Sequence, residues 1–336
     1  MALRWGIIGC GFISNDFVRS LSVAKENHKV VAAAASTLQR AEDFIKKVGL
    51  TNVKAYGSYD ELLADNNVDV AYIGLLNDCH VTWTVKAIKA GKHVLCEKPL
   101  GVNVKEVKLM IETAKSEKKF LMEAFWSRFF PVWLDIKEKI AARDLGDLRV
   151  VNINFGVLLA DTRKDVTKGS TPLYDIGLYT VSLALYAFGK KRDQNAWIGA
   201  KDKHGADAWA NITLQFGDDQ RAVLYYDANN RPVNNAILNF ENGSIQIPDF
   251  FWCPNEYTLI NRKTNEHTTI SHSYPGSQDN YHYNHSSGLS YEADHVYKKI
   301  QEGQIESERM SHDDSVAIHE VLEKVRKDLG VVFPQD

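Results

Sequence analysis

The sequence predicts an α/β fold with two domains: a parallel sheet flanked by helices, then an α/β domain with a large open antiparallel sheet. Up to about residue 124, short apolar runs alternate with helical patterns, which is typical of successive strand–helix–strand units. Later strands alternate apolar and polar residues, as antiparallel strands with one packed face do. The chain has 336 residues, more than one typical domain. We therefore expect two domains, residues 1–124 and residues 125–336.

Strands and helices alternate in the first domain. The predicted strands are residues 3–8, 30–35, 68–75, 93–96 and 120–123, and the predicted helices are residues 15–24, 39–48, 58–65, 81–90 and 104–117. Parallel strands joined by helices in this way have right-handed crossovers. The nearly continuous apolar run at 30–35 suits a sheet that helices cover on both faces.

The second domain has a different pattern. Its predicted strands are residues 208–216, 222–226, 236–240 and 257–260, and its predicted helices are residues 130–143, 172–188, 288–302 and 313–329. In the first of these strands, Ile212, Leu214 and Phe216 lie on one face. Residues 276–287 are rich in Ser, Asn, His and Tyr and are predicted to form a long loop, a kind of segment that is often functional.

A glycine-rich turn after the first strand predicts a dinucleotide-binding site. Gly9, Gly11 and Ser14 occupy the three small-residue positions of a G-x-G-x-x-G/A fingerprint. The first permits a tight turn, the second lets a diphosphate approach the backbone, and the third permits close helix packing. The motif follows a strand and opens a helix, which is the context that supports it. Phe12 and Ile13, between the second glycine and Ser14, are expected to belong to the cofactor site.

The end of the second strand selects between NAD and NADP. An acidic residue there would bind the ribose 2′-hydroxyl of NAD, but no carboxylate occurs before Glu42. Ser36 and Thr37 can donate hydrogen bonds, and Arg40 can pair with a 2′-phosphate. Ser36 or Thr37 can also cap the next helix, and both roles can hold at once. The expected cofactor is NADP.

A lysine follows the strand at 93–96. In Glu97-Lys98-Pro99, it lies at the carboxyl edge where open α/β sheets bind ligands. A partly desolvated lysine beside a cationic nicotinamide loses its proton more readily, so Lys98 is a candidate for proton transfer near neutral pH. The alternative is an ordinary surface lysine at a strand exit.

Asp175 and Tyr179 are spaced i, i+4 near the start of the helix at 172–188. In an α-helix they would share one face. Asp175 is a candidate to orient a substrate hydroxyl and Tyr179 to exchange its proton. The alternatives are helix capping by Asp175 and a half-buried aromatic role for Tyr179.

Composition and pattern exclude several other classes. The formal net charge is −3, with no basic excess for nucleic acid and no polybasic run for a membrane surface. We expect no signal peptide and no membrane span, and the four scattered cysteines indicate reduced thiols in the cytoplasm. His272, His282 and His285 lack firm metal-ligand spacing, so no metal is expected.

These motifs resemble the glucose–fructose oxidoreductase/inositol dehydrogenase (Gfo/Idh/MocA) superfamily over nearly the whole chain. The most specific signature is AGKHVLCEKPL at residues 90–100, and Asn77 and His80 before it fit the family's loop. Within the superfamily, the chain is most similar to the branch of dihydrodiol and NADP-dependent D-xylose dehydrogenases. That likeness lies in residues 3–7, 54–59, 120–131, 252–254, 290–293 and 333–335.

The resemblance implies that Lys98 and Tyr179 are the catalytic pair; this branch has tyrosine where many relatives have histidine. It implies a set of cofactor contacts that includes Leu75, Asn77, His80, Glu97 and Lys98. It also implies a substrate pocket formed by Trp126, Arg128, Asp175, Tyr179, Trp252 and Tyr283. The exposed face of the second sheet is expected to pair two subunits into a homodimer.

The predicted function is NADP-dependent oxidation of a cyclic sugar hydroxyl, of the D-xylose to lactone type, together with trans-dihydrodiols. Tyr179 takes the hydroxyl proton while Lys98 stabilises the phenolate or relays the proton. The alternatives are an inositol or other polyol dehydrogenase, a carbonyl reductase of the same superfamily, and a non-catalytic NADP-binding sensor. The branch has Arg-Asp where Ser36-Thr37 stands and phenylalanine where Tyr283 stands, and the more polar Tyr283 favours a sugar substrate.

Overall fold

The computed structural model describes all 336 residues, which form two units. The first unit contains Met1–Phe129 and Tyr274–Ser315, and the second contains Phe130–Ser273 and Val316–Asp336. This division differs from the predicted boundary at 124/125, because a late segment of the chain returns to the first unit. There the Leu121 N–H donates to the Ile305 carbonyl oxygen at 3.0 Å. Local sequence patterns do not reveal a pairing between residues so far apart in the chain.

Fourteen strands form two sheets. The strands of the first unit are β1 (Leu3–Ile8), β2 (His28–Ala34), β3 (Lys54–Tyr56), β4 (Val70–Ile73), β5 (His93–Glu97) and β6 (Leu121–Ala124). The strands of the second unit are β7 (Leu148–Gly156), β8 (Gln194–Lys201), β9 (Asp207–Phe216), β10 (Gln220–Asp227), β11 (Ala236–Phe240), β12 (Gly243–Ile247), β13 (Glu256–Asn261) and β14 (Glu266–Ser271).

The α-helices are α1 (Phe12–Ser20), α2 (Leu38–Val48), α3 (Tyr59–Leu63), α4 (His80–Lys89), α5 (Val104–Ser116), α6 (Pro131–Ala142), α7 (Leu178–Phe188), α8 (Leu289–Gln301) and α9 (His312–Asp328). Each corresponds to a predicted helix. The largest difference at an N-terminus is at α7, which starts at Leu178 rather than at residue 172 because a π-helical turn precedes it. Helix α1 starts at Phe12 rather than at residue 15. Its N-cap is Gly11, which has no capping side chain, so the sequence lacks the usual start signal.

The first sheet is wholly parallel, with the strand order β3-β2-β1-β4-β5-β6. The order reverses between β1 and β4, and in open α/β sheets ligands bind at the carboxyl ends of the strands at such a point. The five predicted strands are present. The sequence does not predict β3, because its three residues, Lys-Ala-Tyr, contain no apolar run.

The second sheet has the order β14-β13-β12-β11-β7-β10-β9-β8. Its pairs are antiparallel except that β7 and β10 are parallel, so the sheet is mixed rather than purely antiparallel. Four of its strands, β7, β8, β12 and β14, are not among the predicted ranges. Most side chains of β8 and β14 are exposed, and strands of that kind lack the apolar alternation on which the prediction depends.

One face of this sheet packs against helix α7, which lies on β7 and β10. Ile212, Leu214 and Phe216 of β9 are buried on that face, which confirms their predicted alternation. On β10, Ala222 and Leu224 are buried in the same way, whereas the intervening Val223 is exposed. The opposite face of the sheet is therefore open along these strands.

None of the four cysteines forms a disulfide, and two of them, Cys96 and Cys253, are buried. No helix combines the length and the apolar character needed to cross a membrane.

Candidate cofactor and catalytic site

The turn between β1 and α1 packs tightly against the end of β4. Gly9 has φ +92°, and a Cβ added there would lie 2.6 Å from the Gly74 carbonyl oxygen. A Cβ added at Gly74 would in turn lie 2.3 Å from the Ser14 hydroxyl oxygen. The left-handed backbone and the close contact both require glycine at position 9. Ser14 is the small residue that lets α1 approach the sheet, as the fingerprint predicts.

The N-terminus of α1 fits a diphosphate. Gly11 is its N-cap, no side chain accepts the free N–H groups of the first turn, and that turn contains no acidic residue. A Cβ at Gly11 would meet only the Gly74 carbonyl, at 4.0 Å, so the glycine leaves open space beside the helix end. Unpaired N–H groups at a helix N-terminus attract anions, and Phe12 and Ile13 begin this helix. The residues present therefore fit a dinucleotide.

Polar side chains at the end of β2 form a small exposed group. Thr37 is the N-cap of α2, where its hydroxyl accepts the Arg40 N–H at 3.3 Å. The Arg40 guanidinium donates to the Ser36 hydroxyl at 2.9 Å. Capping by Thr37 thus coexists with a Ser36–Arg40 pair, and the segment from 35 to 40 contains no carboxylate. The pair presents one cation and one hydroxyl, which suits a phosphate better than a ribose hydroxyl.

His80 joins the two loops that follow β4 and β5. Its Nδ1 lies 2.8 Å from the Pro99 carbonyl oxygen and its Nε2 lies 3.1 Å from the Leu75 carbonyl oxygen. Both partners are acceptors, so the neutral ring can donate to only one of them. Burial lowers the pKa of His80, which favours that neutral ring. His80 is fully buried, so its side chain positions the loops of Leu75 and Pro99, and Asn77 lies at the start of the turn before it.

Glu97 is the last residue of β5 and is buried directly before Lys98. The Tyr72 hydroxyl donates to its Oε1 at 2.6 Å, and the Lys98 N–H donates to its Oε2 at 3.3 Å. Burial raises the pKa of Glu97 to about 7, although the Tyr72 bond and Lys98 oppose the shift. The Lys98–Pro99 peptide bond is cis. Lys98 is half-buried, and it leaves the sheet beside a carboxyl that is anchored from β4.

The remaining predicted residues of the first unit have different surroundings. Arg128 is 1% exposed; it pairs with Asp314 at 3.2 Å and donates to the Arg309 carbonyl oxygen at 3.2 Å. These contacts fix the position of the Arg128 guanidinium, and its contact with substrate stays a prediction. Trp126, in the same 3-10 turn, is also buried. Tyr283 is 38% exposed and lies in the loop at 276–287.

In the second unit, Asp175 and Tyr179 lie at a junction between two helix types. Residues Leu173–Gly177 form a π-helical turn, and α7 follows it directly. The predicted i, i+4 relation assumes an α-helix throughout, so the π turn changes it. π turns inside helices occur frequently at functional sites. The buried Asp207 carboxylate accepts the Leu173 N–H at 2.7 Å and thereby fixes the start of this turn.

Arg163 is a site residue that the sequence analysis misses. It lies in a 3-10 turn, Asp161–Arg163, and its guanidinium donates to Asp175 Oδ1 at 2.6 Å. The Asp175 side chain is 12% exposed and that of Arg163 is 43% exposed. Asp175 therefore does not act as a helix cap, since its carboxylate is held by a cation from another loop. No local motif marks Arg163, because its position depends on the folding of the loop between β7 and the π turn.

Phe155, on β7, is a second residue that the sequence analysis misses. Its ring stacks on Trp252 with centroids 4.2 Å apart, and it meets the Tyr179 ring edge-on at 5.6 Å. Phe155 and Trp252 thus form an aromatic wall beside Tyr179. The sequence gives no signal for this, because an aromatic residue is ordinary in an alternating strand.

The structure therefore groups the predicted residues by unit. The first unit holds the dinucleotide turn, the Ser36–Arg40 pair and Lys98, and the second holds Asp175, Tyr179 and Trp252. No three His, Cys, Asp or Glu side chains form a metal-binding group. His272 instead pairs with Asp135 at 2.7 Å, and His282 packs on Phe12 with ring centroids 4.5 Å apart.

Two protein-family models match the chain. Residues 3–125 match the model of an oxidoreductase family with an NAD-binding Rossmann fold, and residues 133–246 match the GFO/IDH/MocA C-terminal domain. The chain belongs to the Gfo/Idh/MocA oxidoreductase family. The resemblance seen in the EKP and glycine motifs is thereby confirmed.

Curated relatives match this chain over its full length. The chain is 38% identical to trans-1,2-dihydrobenzene-1,2-diol dehydrogenase of Sus scrofa, over 100% of this chain and 99% of that protein. It is 37% identical to the Homo sapiens protein of the same name, with the same coverage.

Solved structures share the fold. Aldose-aldose oxidoreductase of Caulobacter crescentus, complexed with glycerol, superposes with a TM-score of 0.84 at 21% identity, over 98% of both chains. Levoglucosan dehydrogenase in complex with NADH and levoglucosan gives 0.85 at 18% identity, again over 98% of both chains. At such identities the likeness shows a common architecture. It confirms the predicted fold, a Rossmann domain followed by a domain with a large open sheet.

The buried Glu97 carboxyl predicts a pH-dependent stability. Because the pKa of Glu97 is about 7 in the folded chain, against an ordinary value of 4.5, the folded state keeps a proton that the unfolded chain releases. The ionisation of Glu97 therefore lowers the free energy of unfolding as the pH rises from 4.5 towards 7, by roughly 3 kcal/mol in total. Glu97→Gln mimics the protonated form and removes this loss. We expect its melting temperature to exceed that of the wild type at about pH 8 but not at about pH 5.

Glu241→Gln is the matched control. Glu241 is exposed beside Arg149, which lowers its pKa, so its ionisation does not change between about pH 5 and 8. That variant should keep the wild-type dependence over this range. If Glu97→Gln also keeps it, Glu97 is not protonated in the folded protein.

Proposed function

We propose that the chain is an NADP-dependent dehydrogenase that oxidises a cyclic hydroxyl compound, with D-xylose oxidised to its lactone and trans-dihydrodiols as a second substrate class. The aromatic wall of Phe155 and Trp252 beside Tyr179 is the observation that carries the proposal. A flat aromatic surface suits the C–H face of a sugar ring as well as an unsaturated ring. The family membership and the dihydrodiol dehydrogenase relatives support the reaction type.

The proposed chemistry assigns a role to each of four residues and to the cofactor. NADP, when bound, supplies the acceptor for the hydride that leaves the substrate carbon. Tyr179 accepts the hydroxyl proton, and Lys98 provides the positive charge that favours the phenolate or relays the proton onwards. Asp175 accepts a hydrogen bond from a neighbouring substrate hydroxyl, and Arg163 compensates its charge.

The preference for NADP over NAD rests on the end of β2. Arg40 and Ser36 present a cation and a hydroxyl there, and no carboxylate lies within that segment to bind a ribose 2′-hydroxyl. The Arg40 side chain is exposed, so a 2′-phosphate can reach it. These features favour the phosphorylated cofactor.

One test of the proposed function measures turnover with D-xylose. We expect wild-type protein to form NADPH from NADP and D-xylose, and to form NADH from NAD much more slowly. Lys98→Met should lower kcat/KM at least about 100-fold, because proton-transfer groups contribute on that order. Lys89→Met, which removes an exposed lysine at the end of α4, is the control and should keep wild-type activity.

A panel of trans-dihydrodiols, inositol and other polyols, assayed in parallel, identifies the preferred ring. Turnover of inositol but not D-xylose would assign the chain to the alternative polyol dehydrogenases. NADPH binding without turnover of any compound would instead favour the non-catalytic sensor. Equal activity of Lys98→Met and wild type would reject the role of Lys98.

A further prediction concerns the ion pair of Arg163 with Asp175. In Arg163→Met the Asp175 carboxylate loses the Arg163 guanidinium, so more of its negative charge acts on Tyr179 and opposes formation of a phenolate. We expect kcat/KM to fall about 10-fold, or about 1.4 kcal/mol, and the alkaline pH needed for half-maximal activity to rise. Arg163→Lys keeps the charge and should recover most of the activity. An unchanged pH profile in Arg163→Met would contradict this role.

We also propose a homodimer formed through the open face of the second sheet. Ile198 is 66% exposed and Val223 is 38% exposed, and the register β8–β9–β10 places both on the face opposite the buried Ile212 and Leu224. Val223→Glu should convert the dimer to a monomer in light scattering, because it buries a charge at the interface. Val233→Glu, at an exposed position outside the strands, is the control. A wild-type monomer would reject the proposal.

A further inference from the structure

A late loop of the chain is fastened to the first helix of the dinucleotide site. We call residues 276–287 the strap; they belong to the first unit although they follow the whole second sheet in sequence. The fastening residue is Asp16, in the second turn of α1, which is fully buried. A buried carboxylate is costly unless its oxygens are paired, so its partners define what it does.

The partners of Asp16 are N–H groups of the strap. Its two oxygens lie 2.9 and 3.0 Å from the His282 backbone nitrogen, and Oδ2 accepts the Tyr283 N–H at 2.9 Å. The Asn15 side-chain amide donates to Oδ1 at 3.0 Å. Consecutive backbone N–H groups form a concave site for an anion. The carboxylate therefore sets the position of residues 282 and 283 relative to α1.

This position brings a cationic and aromatic group to the start of α1. The His282 ring lies 4.5 Å from the Phe12 ring, and its Nε2 lies 3.4 Å from Lys47 Nζ. Lys47 Nζ also lies 5.8 Å from the centre of the Phe12 ring. Phe12 is 62% exposed, although it is the first residue of the helix that would receive a diphosphate. The Lys47 ammonium beside this exposed surface can pair with a phosphate of a ligand that lies at the start of α1.

We propose that the strap forms a second wall of the dinucleotide site, in which His282 and Lys47 contact the diphosphate and Asp16 is the residue that positions them. The inference rests on the proposed dinucleotide binding but not on the identity of the substrate. The diphosphate is common to NAD and NADP, whereas the Ser36–Arg40 pair faces the group that distinguishes them. The strap therefore contributes equally to the binding of both cofactors.

A second carboxylate offers a matched control for a purely structural role. Asp294 on α8 accepts the Lys25 and Glu26 backbone N–H groups at 3.0 and 2.8 Å, and its Oδ1 lies 3.1 Å from His28 Nε2. Like Asp16, Asp294 joins the segment that returns to the first unit to an early part of the chain. Its partners lie after the end of α1, far from the N-terminus of that helix, so the loss of Asp294 should not change the diphosphate site.

The test measures dissociation constants for NADPH and NADH by the change in nicotinamide fluorescence, with the full chain and without substrate. We expect His282→Leu and Asp16→Asn each to weaken both cofactors about 3- to 10-fold. The double variant of Asp16→Asn and His282→Leu should bind each cofactor no more weakly than Asp16→Asn alone, because both changes remove the same contact. Asp294→Asn should bind like the wild type, and Arg40→Ala should weaken NADPH more than NADH.

Thermal melting of each variant separates binding from folding, and His282→Leu changes an exposed side chain that folding does not require. Wild-type affinity in both His282→Leu and Asp16→Asn would overturn the proposal and leave the dehydrogenase function standing. So would equal losses in Asp16→Asn and Asp294→Asn without any loss in His282→Leu. A loss confined to NADPH would reject the diphosphate contact. No binding of either cofactor by the wild type would reject the proposed function as well.

Discussion

The contact between the Gly9 turn and the end of β4 is the constraint on which the rest of the first unit depends. With a Cβ at Gly9 only 2.6 Å from the Gly74 carbonyl oxygen, any other residue would force β1 and β4 apart. Gly74 in turn leaves room for Ser14, so α1 begins directly at the edge of the sheet. The close approach places the unpaired N–H groups of α1 at the point where the strand order reverses. The absence of a Cβ at Gly9 and at Gly74 thus makes room for the anion site.

A second constraint comes from burying a parallel sheet on both faces. The strand that ends at Glu97 has no exposed side on which to place a carboxyl, so the group is buried, hydrogen-bonded to Tyr72, and holds its proton up to about pH 7. Tyr72 itself stacks on Phe17 of α1 with ring centroids 3.9 Å apart. The lysine that follows Glu97 is therefore held through β5, β4 and α1 together. The same packing that stabilises the sheet positions the group proposed for proton transfer.

The sequence predicts the helices and strands that a local pattern of apolar residues determines. It does not predict features that depend on contacts between residues far apart in the chain. Every α-helix and the five longer strands of the first sheet follow from apolar periodicity, and the glycine motif and Lys98 follow from their places at strand ends. The three-residue β3 and the exposed β8 and β14 lack such a pattern. Arg163, Phe155 and Asp16 acquire their roles from partners 12, 24 and 266 residues away, respectively, so no motif marks them. The π turn before α7 likewise depends on Asp207, far along the chain.

The treatment of negative charge links these observations. A site that binds a dinucleotide must not repel its phosphates, yet the first unit has buried carboxyls, among them Asp16 and Glu97. At Asp16 the charge is met by strap N–H groups, and at Glu97 burial favours the neutral acid. The end of β2 has no acid in the segment from 35 to 40. In the second unit, where a developing phenolate is proposed, Asp175 is matched by Arg163. Each carboxyl is therefore neutralised by a different means according to its burial, and an anion at either place meets no uncompensated negative charge from these groups.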